Sequence, residues 1–127
     1  RLLRAFRVPD AACDSFDVAL GTEAMWLSAR ALGCEAFIPG LGNAFPELCV
    51  KMWQEGMANN YESCRQTQFL VNHLRSLMYL AGSTQQAVYC MTSLRGIIHA
   101  YPRAPFLPIS EKETANLRSA LEQTGVL

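Results

Sequence analysis

The stretch FDVALGTEAMWLSARALGCEAFIPGLGN, residues 16–43, contains two apolar runs that each end at a glycine. In residues 16–20, Phe, Val and Leu alternate with Asp and Ala before Gly21. Such alternation is typical of a short strand. The second run, residues 36–38, is short and continuous, and a proline and Gly40 follow it. This second run predicts another strand, one that is buried.

The segment between the two runs has the pattern of one helix, predicted over residues 22–32. Thr22 is a suitable N-cap, and Glu23 places a negative charge in the first turn, where the helix dipole favours it. Gly33 follows the last apolar position and is a typical C-terminal residue. The stretch therefore predicts a β-α-β unit with two neighbouring parallel strands and a right-handed crossover.

The remainder of the chain predicts helices and loops. Pro46 suits a helix start, and the apolar pattern continues to Gly56. Asn59 and Asn60 interrupt the chain before a longer helix that ends near Gly82, and another helix is predicted over about 85–94. A three-proline loop precedes a last helix with a Ser110–Glu113 capping box, which ends at Gly125. Two parallel strands alone would leave both sheet edges unpaired, so the pattern resembles the tail of a larger α/β fold.

Composition and charge exclude several classes of protein. Half of the 127 residues are hydrophobic and 17% are charged, which is typical of a globular domain. Eleven basic residues balance eleven acidic ones without a basic stripe, so no nucleic-acid partner is predicted. No apolar run is long enough for a membrane span, and residues 1–7 are too short and too charged for a signal peptide.

The cysteines and histidines predict neither a disulfide framework nor a metal site. The five cysteines are evenly spread without a CxxC pair, and His73 and His99 lack ligand-like spacing. Cys49 and Cys64 fall on apolar helical positions, where cysteine acts as a small hydrophobic residue. This usage favours a reducing compartment, and the predicted location is cytoplasmic.

Four segments, in order and spacing, resemble the dihydrodipicolinate synthase / N-acetylneuraminate lyase family. They are FDVALGTEA at 16–24, ALGCEAFIPGLGNAFPEL at 31–48, PRAPFLPIS at 102–110 and LRSALEQTGVL at 117–127. Members of that family are (β/α)8 barrels with extra C-terminal helices and act as class I aldolases or related lyases on 2-oxo acids. The resemblance covers nearly the whole chain and implies the α/β class.

The resemblance implies which part of the barrel this chain represents. We expect the C-terminal part of a (β/α)8 TIM barrel, namely its last two strands and their helices, followed by extra C-terminal helices. Residues 1–58 would form the end of the barrel and residues 59–127 the helical extension. The remaining barrel strands would be a partner of this segment, and relatives are commonly tetramers, so a homo-oligomer is also expected.

The resemblance also implies four substrate-binding positions at the strand ends. Gly21 and the carbonyl of Ile38 would lie beside the pyruvyl portion of a 2-oxo acid. Glu23 stands where relatives often have an acidic residue that receives substrate hydroxyls, and Gly40 replaces a serine of the sialic-acid lyases. From the residues alone, Gly21 is equally explained as a turn glycine, Glu23 as a first-turn helix residue, and Asn43 as a loop or cap residue.

The family's catalytic residues have no counterpart in this sequence. The Schiff-base lysine, the proton-shuttling tyrosine and the hydroxyl pair that binds the carboxylate are all expected upstream of residue 1. Lys51 and Lys112 fall within predicted helices, away from the lysine's position, and Tyr89 stands where many relatives have a lysine. We therefore expect no catalytic residue in this chain. Since the iminium acts as the electron sink, no metal or organic cofactor is expected either.

An alternative of another class stays open. The segment could be a non-catalytic helical module that serves as an assembly or regulatory surface derived from the barrel's tail. The intact mass of the source protein distinguishes the two, because the enzyme hypothesis requires a chain more than twice as large as this 14.1 kDa segment. On its own, the segment is predicted to be inactive.

Overall fold

The structure, a computed structural model, describes residues 18–127 and contains a two-stranded parallel sheet. Strand β1 is Ala19–Leu20 and strand β2 is Ala36–Phe37, with Leu20 opposite Phe37. The parallel pairing confirms the β-α-β prediction. Residues 16 and 17 of the first predicted strand lie outside the described residues. Both strands are shorter than predicted, because Val18 and Ile38 lie just outside β1 and β2.

The connection between the strands is a short helical segment. It starts as a 3-10 turn, Glu23–Met25, and continues as helix α1, Trp26–Ala31. The Thr22 hydroxyl accepts a hydrogen bond of 3.3 Å from Ala24 N, as predicted for an N-cap. The α-helical part is shorter than the predicted range of 22–32.

Four longer helices make up about half of the described chain, which is a mainly helical α/β structure. They are α2 (Pro46–Met57), α3 (Tyr61–Leu77), α4 (Thr84–Leu94) and α5 (Glu111–Thr124), with 3-10 turns at Leu41–Asn43 and Met78–Leu80. No helix within residues 18–127 is long and apolar enough to cross a membrane.

Several of the predicted helix boundaries are confirmed by local geometry, whereas α3, predicted to end near Gly82, ends at Leu77 and is followed by the 3-10 turn Met78–Leu80. Asn59 takes a left-handed conformation with φ 57°, and the Asn60 side chain caps α3. The Ser110–Glu113 capping box is formed at the start of α5. Gly125 ends that helix with φ 70°, a conformation that glycine adopts without steric cost.

The core lies where α1 packs against α2 and α3. Trp26 is fully buried, and its indole Nε1 donates a 3.0 Å hydrogen bond to Met52 O. Gly56 was predicted to end α2, but the helix continues to Met57 and Gly56 is buried. A Cβ on Gly56 would lie 2.5 Å from Trp26 Nε1, so this glycine is required for close packing rather than for helix termination.

The prediction that the second strand is buried is wrong for the described chain. Ala36 is exposed, and Ile38, just after β2, is 69% exposed. A two-stranded sheet cannot cover both faces and both edges of its own strands. Within residues 18–127, no further strand or layer covers the exposed side of β2.

The described cysteines are buried free thiols, namely Cys34, Cys49, Cys64 and Cys90. Burial, followed by the charges of Glu23 and Glu47, raises the pKa of Cys49 to about 12. Cys49 and Cys64 thus occupy apolar positions as predicted, whereas Cys13 lies outside the described residues. In the part of the chain that the structure describes, no cluster of potential metal ligands occurs.

Candidate functional site

The carboxyl ends of β1 and β2 meet at one edge of the sheet. Ile38 N donates a 2.9 Å hydrogen bond to Leu20 O, which holds the two strand ends together. The turn at Gly21 and the loop at Gly40 therefore begin side by side. A Cβ built on either glycine would meet no atom within 4 Å, so the space beside both is open in the described chain.

Glu23 links the two strand ends directly. Its side chain is buried, with the residue only 3% exposed, and its two oxygens accept hydrogen bonds from backbone N–H groups of the other loop. Leu41 N donates to Oε1 at 3.1 Å and Gly40 N donates to Oε2 at 3.3 Å. Glu23 thus anchors the loop after β2, a role that the sequence did not reveal, and its role toward substrate hydroxyls stays a prediction.

Arg75 of α3 compensates part of the buried charge. Its Nη1 lies 3.8 Å from Glu23 Oε1 and donates a 2.9 Å hydrogen bond to the Thr22 hydroxyl. A buried carboxylate requires such partners because the loss of hydration is expensive. Arg75 thereby connects the turn after β1 to helix α3.

A polar stripe on α3 completes this support. Gln68 Nε2 donates to Glu23 O at 2.8 Å, and Gln68 Oε1 accepts from Leu27 N at 3.1 Å. Asn72 Nδ2 donates to Ala24 O at 3.3 Å. None of these α3 residues was among the predicted site residues, although Gln68, Asn72 and Arg75 follow the i, i+4, i+7 spacing of a single helix face.

Arg95, just after α4, fastens the other side of the loop. Its guanidinium donates to Ala44 O and forms an ion pair with Glu47, with Nη2 2.8 Å from Oε1. It also lies 4.6 Å from the centre of the Phe45 ring, a cation–π arrangement. The loop after β2 is therefore fixed at Glu23 on one side and at Arg95 on the other.

A cleft of about 820 Å³ opens beside this loop. One wall is the loop itself, with Gly40 and Asn43, and a second wall is a face of α4. The third wall is the segment 97–103, which follows α4. The residues of α4 in the cleft are Gln85, Val88, Tyr89 and Thr92, and the third wall includes His99, Tyr101 and Arg103.

The four predicted substrate-binding residues all lie at the carboxyl ends of β1 and β2, but only Gly40 lines the cleft. Gly21 and Ile38 are exposed at the strand ends, and Glu23 is buried behind the loop. The two lysines lie elsewhere. Lys51 is on α2, 4.0 Å from Glu55, and Lys112 is in the first turn of α5.

Comparisons with known proteins identify related proteins along nearly the whole chain. The model of the dihydrodipicolinate synthetase family matches residues 3–124. The chain is 25% identical over 114 residues to the 4-hydroxy-tetrahydrodipicolinate synthase of Chlorobaculum parvum, which covers 90% of this chain and 38% of that protein. It is 27% identical over 111 residues to the enzyme of the same name from Parabacteroides distasonis, covering 87% of this chain and 37% of that protein.

Solved structures of similar proteins superpose well. Dihydrodipicolinate synthase from Bacteroides thetaiotaomicron gives a TM-score of 0.82 at 26% identity, covering 95% of this chain and 43% of that one. A variant of the 2-keto-3-deoxygluconate aldolase of Sulfolobus solfataricus gives 0.77 at 20% identity, covering 85% and 37%, a likeness of fold alone. The chain spans less than half the length of these relatives.

Proposed function

The chain belongs to the dihydrodipicolinate synthetase family, and on that premise we propose that it is the C-terminal part of a Schiff-base-forming aldolase or lyase. Its two strands are the last two of a (β/α)8 barrel, and the other six are supplied by the rest of the barrel. The substrate is a pyruvate-like 2-oxo acid, which is cleaved, condensed or dehydrated.

One observation supports this proposal most strongly. Two neighbouring parallel strands are joined at their carboxyl ends by the Ile38–Leu20 hydrogen bond, and each continues into a glycine with open space beside it. In (β/α)8 enzymes the chemistry takes place at this end of the strands. A glycine without a Cβ lets a bound oxo acid approach the backbone closely.

The four strand-end residues have distinct roles in the proposal. Gly21 and the Ile38 carbonyl flank the pyruvyl portion, and Gly40 leaves room where a side chain would intrude. Glu23 holds the loop through two backbone N–H groups. Since an ionised carboxylate has about four lone-pair sites, it keeps acceptor capacity for a substrate hydroxyl.

The covalent step uses a lysine from the rest of the barrel. The unprotonated amine attacks the keto carbon, a proton is taken up, and the former keto oxygen leaves as water, which gives an iminium ion. In cleavage, the iminium accepts the electron pair of the carbon–carbon bond that breaks. In condensation, the carbon next to the iminium loses a proton, and the resulting enamine is the nucleophile that forms the bond. The step needs no metal or organic cofactor. This segment contributes the walls of the site and no catalytic group.

The remaining features of the proposal concern assembly and location. The protein acts as a homo-oligomer in the cytoplasm. The four buried free thiols of the described chain are compatible with a reducing compartment.

Trapping the imine tests the proposal. The complete protein that contains this segment is incubated with pyruvate and borohydride, and peptide mapping locates any adduct. We expect one adduct, on a lysine outside residues 1–127, and none with lactate, which lacks the keto group. An adduct on Lys51 or Lys112 would contradict the assignment of the strands, and no adduct at all would favour the non-catalytic alternative.

A further inference from the structure

The position of Glu23 raises the question of which side chains contact the distal part of a substrate. Both Glu23 oxygens bind the loop after β2, and the residue is only 3% exposed. The cleft on the other side of this loop is open to solvent and lined by both apolar and polar side chains. Its second wall, α4, belongs to the helical extension rather than to the sheet.

One face of α4 is directed into the cleft. Gln85, Val88, Tyr89 and Thr92 follow the i, i+3, i+4, i+7 spacing of a single stripe. The Thr92 hydroxyl is used within the helix, where it donates a 2.8 Å hydrogen bond to Val88 O. By contrast, neither the Tyr89 hydroxyl nor the Gln85 amide nitrogen has a hydrogen-bond partner among residues 18–127. These two groups, one turn apart, are available to a ligand.

The walls opposite α4 combine apolar side chains, among them Ile97 and Ile98, with polar ones, and they carry no negative charge. Asn43 lines the cleft, and its Nδ2 donates to Gly40 O at 3.0 Å, whereas its side-chain oxygen accepts no hydrogen bond among the described residues. Arg103 lines the third wall and forms no ion pair within the described chain. No aspartate or glutamate of the described residues lines the cleft. A ligand with an ammonium group would therefore lack a counter-charge there, whereas hydroxyl groups find both donors and acceptors.

We propose that this cleft binds the distal, polyhydroxylated part of a sugar acid, and that Gln85 and Tyr89 are specificity-determining residues that bind its hydroxyls. The identification of this ligand as the substrate rests on the proposed function, because Gly40 belongs both to the cleft and to the strand-end site. The helical extension thus selects the substrate, while the strand ends hold its oxo-acid portion.

Binding of D-gluconate to the complete protein tests the proposal. Gluconate has the hydroxylated chain but no keto group, so it cannot form the imine. Calorimetry should detect binding, and Tyr89→Phe should weaken it about tenfold, as expected for one lost hydrogen bond. Tyr79→Phe is the matched control, because Tyr79 is a 75% exposed tyrosine that does not line the cleft. Gln85→Leu, a change at an exposed position, provides a second test should Tyr89→Phe not fold.

The outcomes separate this proposal from the proposed function. Absence of gluconate binding would overturn it, as would equal gluconate affinity in Tyr89→Phe, Gln85→Leu and the control. Imine trapping with pyruvate does not involve the distal hydroxyls and should be unchanged in all three variants. If the unmodified protein forms no imine with pyruvate, the enzyme hypothesis is refuted, whether or not gluconate binding depends on Tyr89.

Discussion

Glu23 and Leu41, eighteen residues apart in sequence, are joined by a 3.1 Å hydrogen bond from the Leu41 backbone N–H to the buried Glu23 carboxylate. Gly40 N donates to the second oxygen of the same carboxylate. The turn that follows β1 therefore determines the position of the loop that follows β2. The two strand ends form one structural unit, and a change in Glu23 should affect the loop and the cleft beside it.

Replacing Glu23 by glutamine should destabilise the protein. The amide group offers only one acceptor oxygen, so one of the two N–H donors would face an NH2 group and remain unpaired. We expect the free energy of unfolding to fall by about 1–3 kcal/mol, the cost of leaving a buried donor unsatisfied. Urea unfolding of the complete protein measures this decrease in the free energy of unfolding. The control Glu62→Gln removes an exposed carboxylate paired with Arg65 and should leave the free energy of unfolding unchanged. Equal stability of Glu23→Gln and Glu62→Gln would contradict the anchoring role of Glu23.

Gly56→Ala tests the packing between α1 and α2. Alanine is the better helix former, by about 1 kcal/mol, but its Cβ would lie 2.5 Å from the indole nitrogen of the fully buried Trp26. The indole would have to move and would lose its hydrogen bond to Met52 O. We expect a net loss of roughly 1–3 kcal/mol by thermal or urea unfolding, in the range for overpacked cores.

Gly21→Ala is the control for this change. An added Cβ at Gly21 meets no atom of the described chain within 4 Å. The free energy of unfolding of Gly21→Ala should therefore stay near that of the unmodified protein. A Gly56→Ala variant as stable as Gly21→Ala would show that the indole can move at no cost.

Gly21→Val tests the strand-end site in the complete protein. The branched side chain has room within this chain but would occupy the space that the proposed function assigns to the oxo acid. We expect an unfolding transition close to that of the unmodified protein, together with a severe loss of pyruvate imine trapping and of kcat/KM. A folded variant with normal imine formation would show that Gly21 is only a turn residue.

Stability at alkaline pH should depend on Cys49. Its pKa is raised from 9.0 to about 12 in the folded protein, because burial disfavours the thiolate. The unfolded chain therefore loses this proton first, so the contribution is complete below pH 9 and is lost as pH rises from 9 to 12. Between pH 8 and pH 10 we expect Cys49→Ala to lose about 1 kcal/mol less stability than the unmodified protein in urea unfolding. Identical losses in the two proteins would contradict the shift.

Local patterns were sufficient to predict much of the fold. The break at Asn59 and Asn60 and the Ser110–Glu113 capping box depend on residues within a few positions of one another, and each element of the β-α-β unit is indicated by its own local pattern. Hydrogen bonds of this kind follow from short-range spacing, which a sequence displays directly. The predicted strand-end residues were also brought to one edge, because parallel pairing aligns the ends of the two strands.

The tertiary structure alone decided the contacts between distant segments. Glu23 reaches Gly40 across seventeen positions and Leu41 across eighteen. Gln68 reaches Glu23 across forty-five positions, and Gly56 meets Trp26 where two helices pack together. The spacing of polar residues on α3 shows that they share a face, but not which backbone they bind. The sequence by itself determined the elements and their order through local chemistry. The packing of helix faces determined what Glu23 and Gly56 do and where the cleft opens, because those roles depend on partners that only three-dimensional proximity supplies.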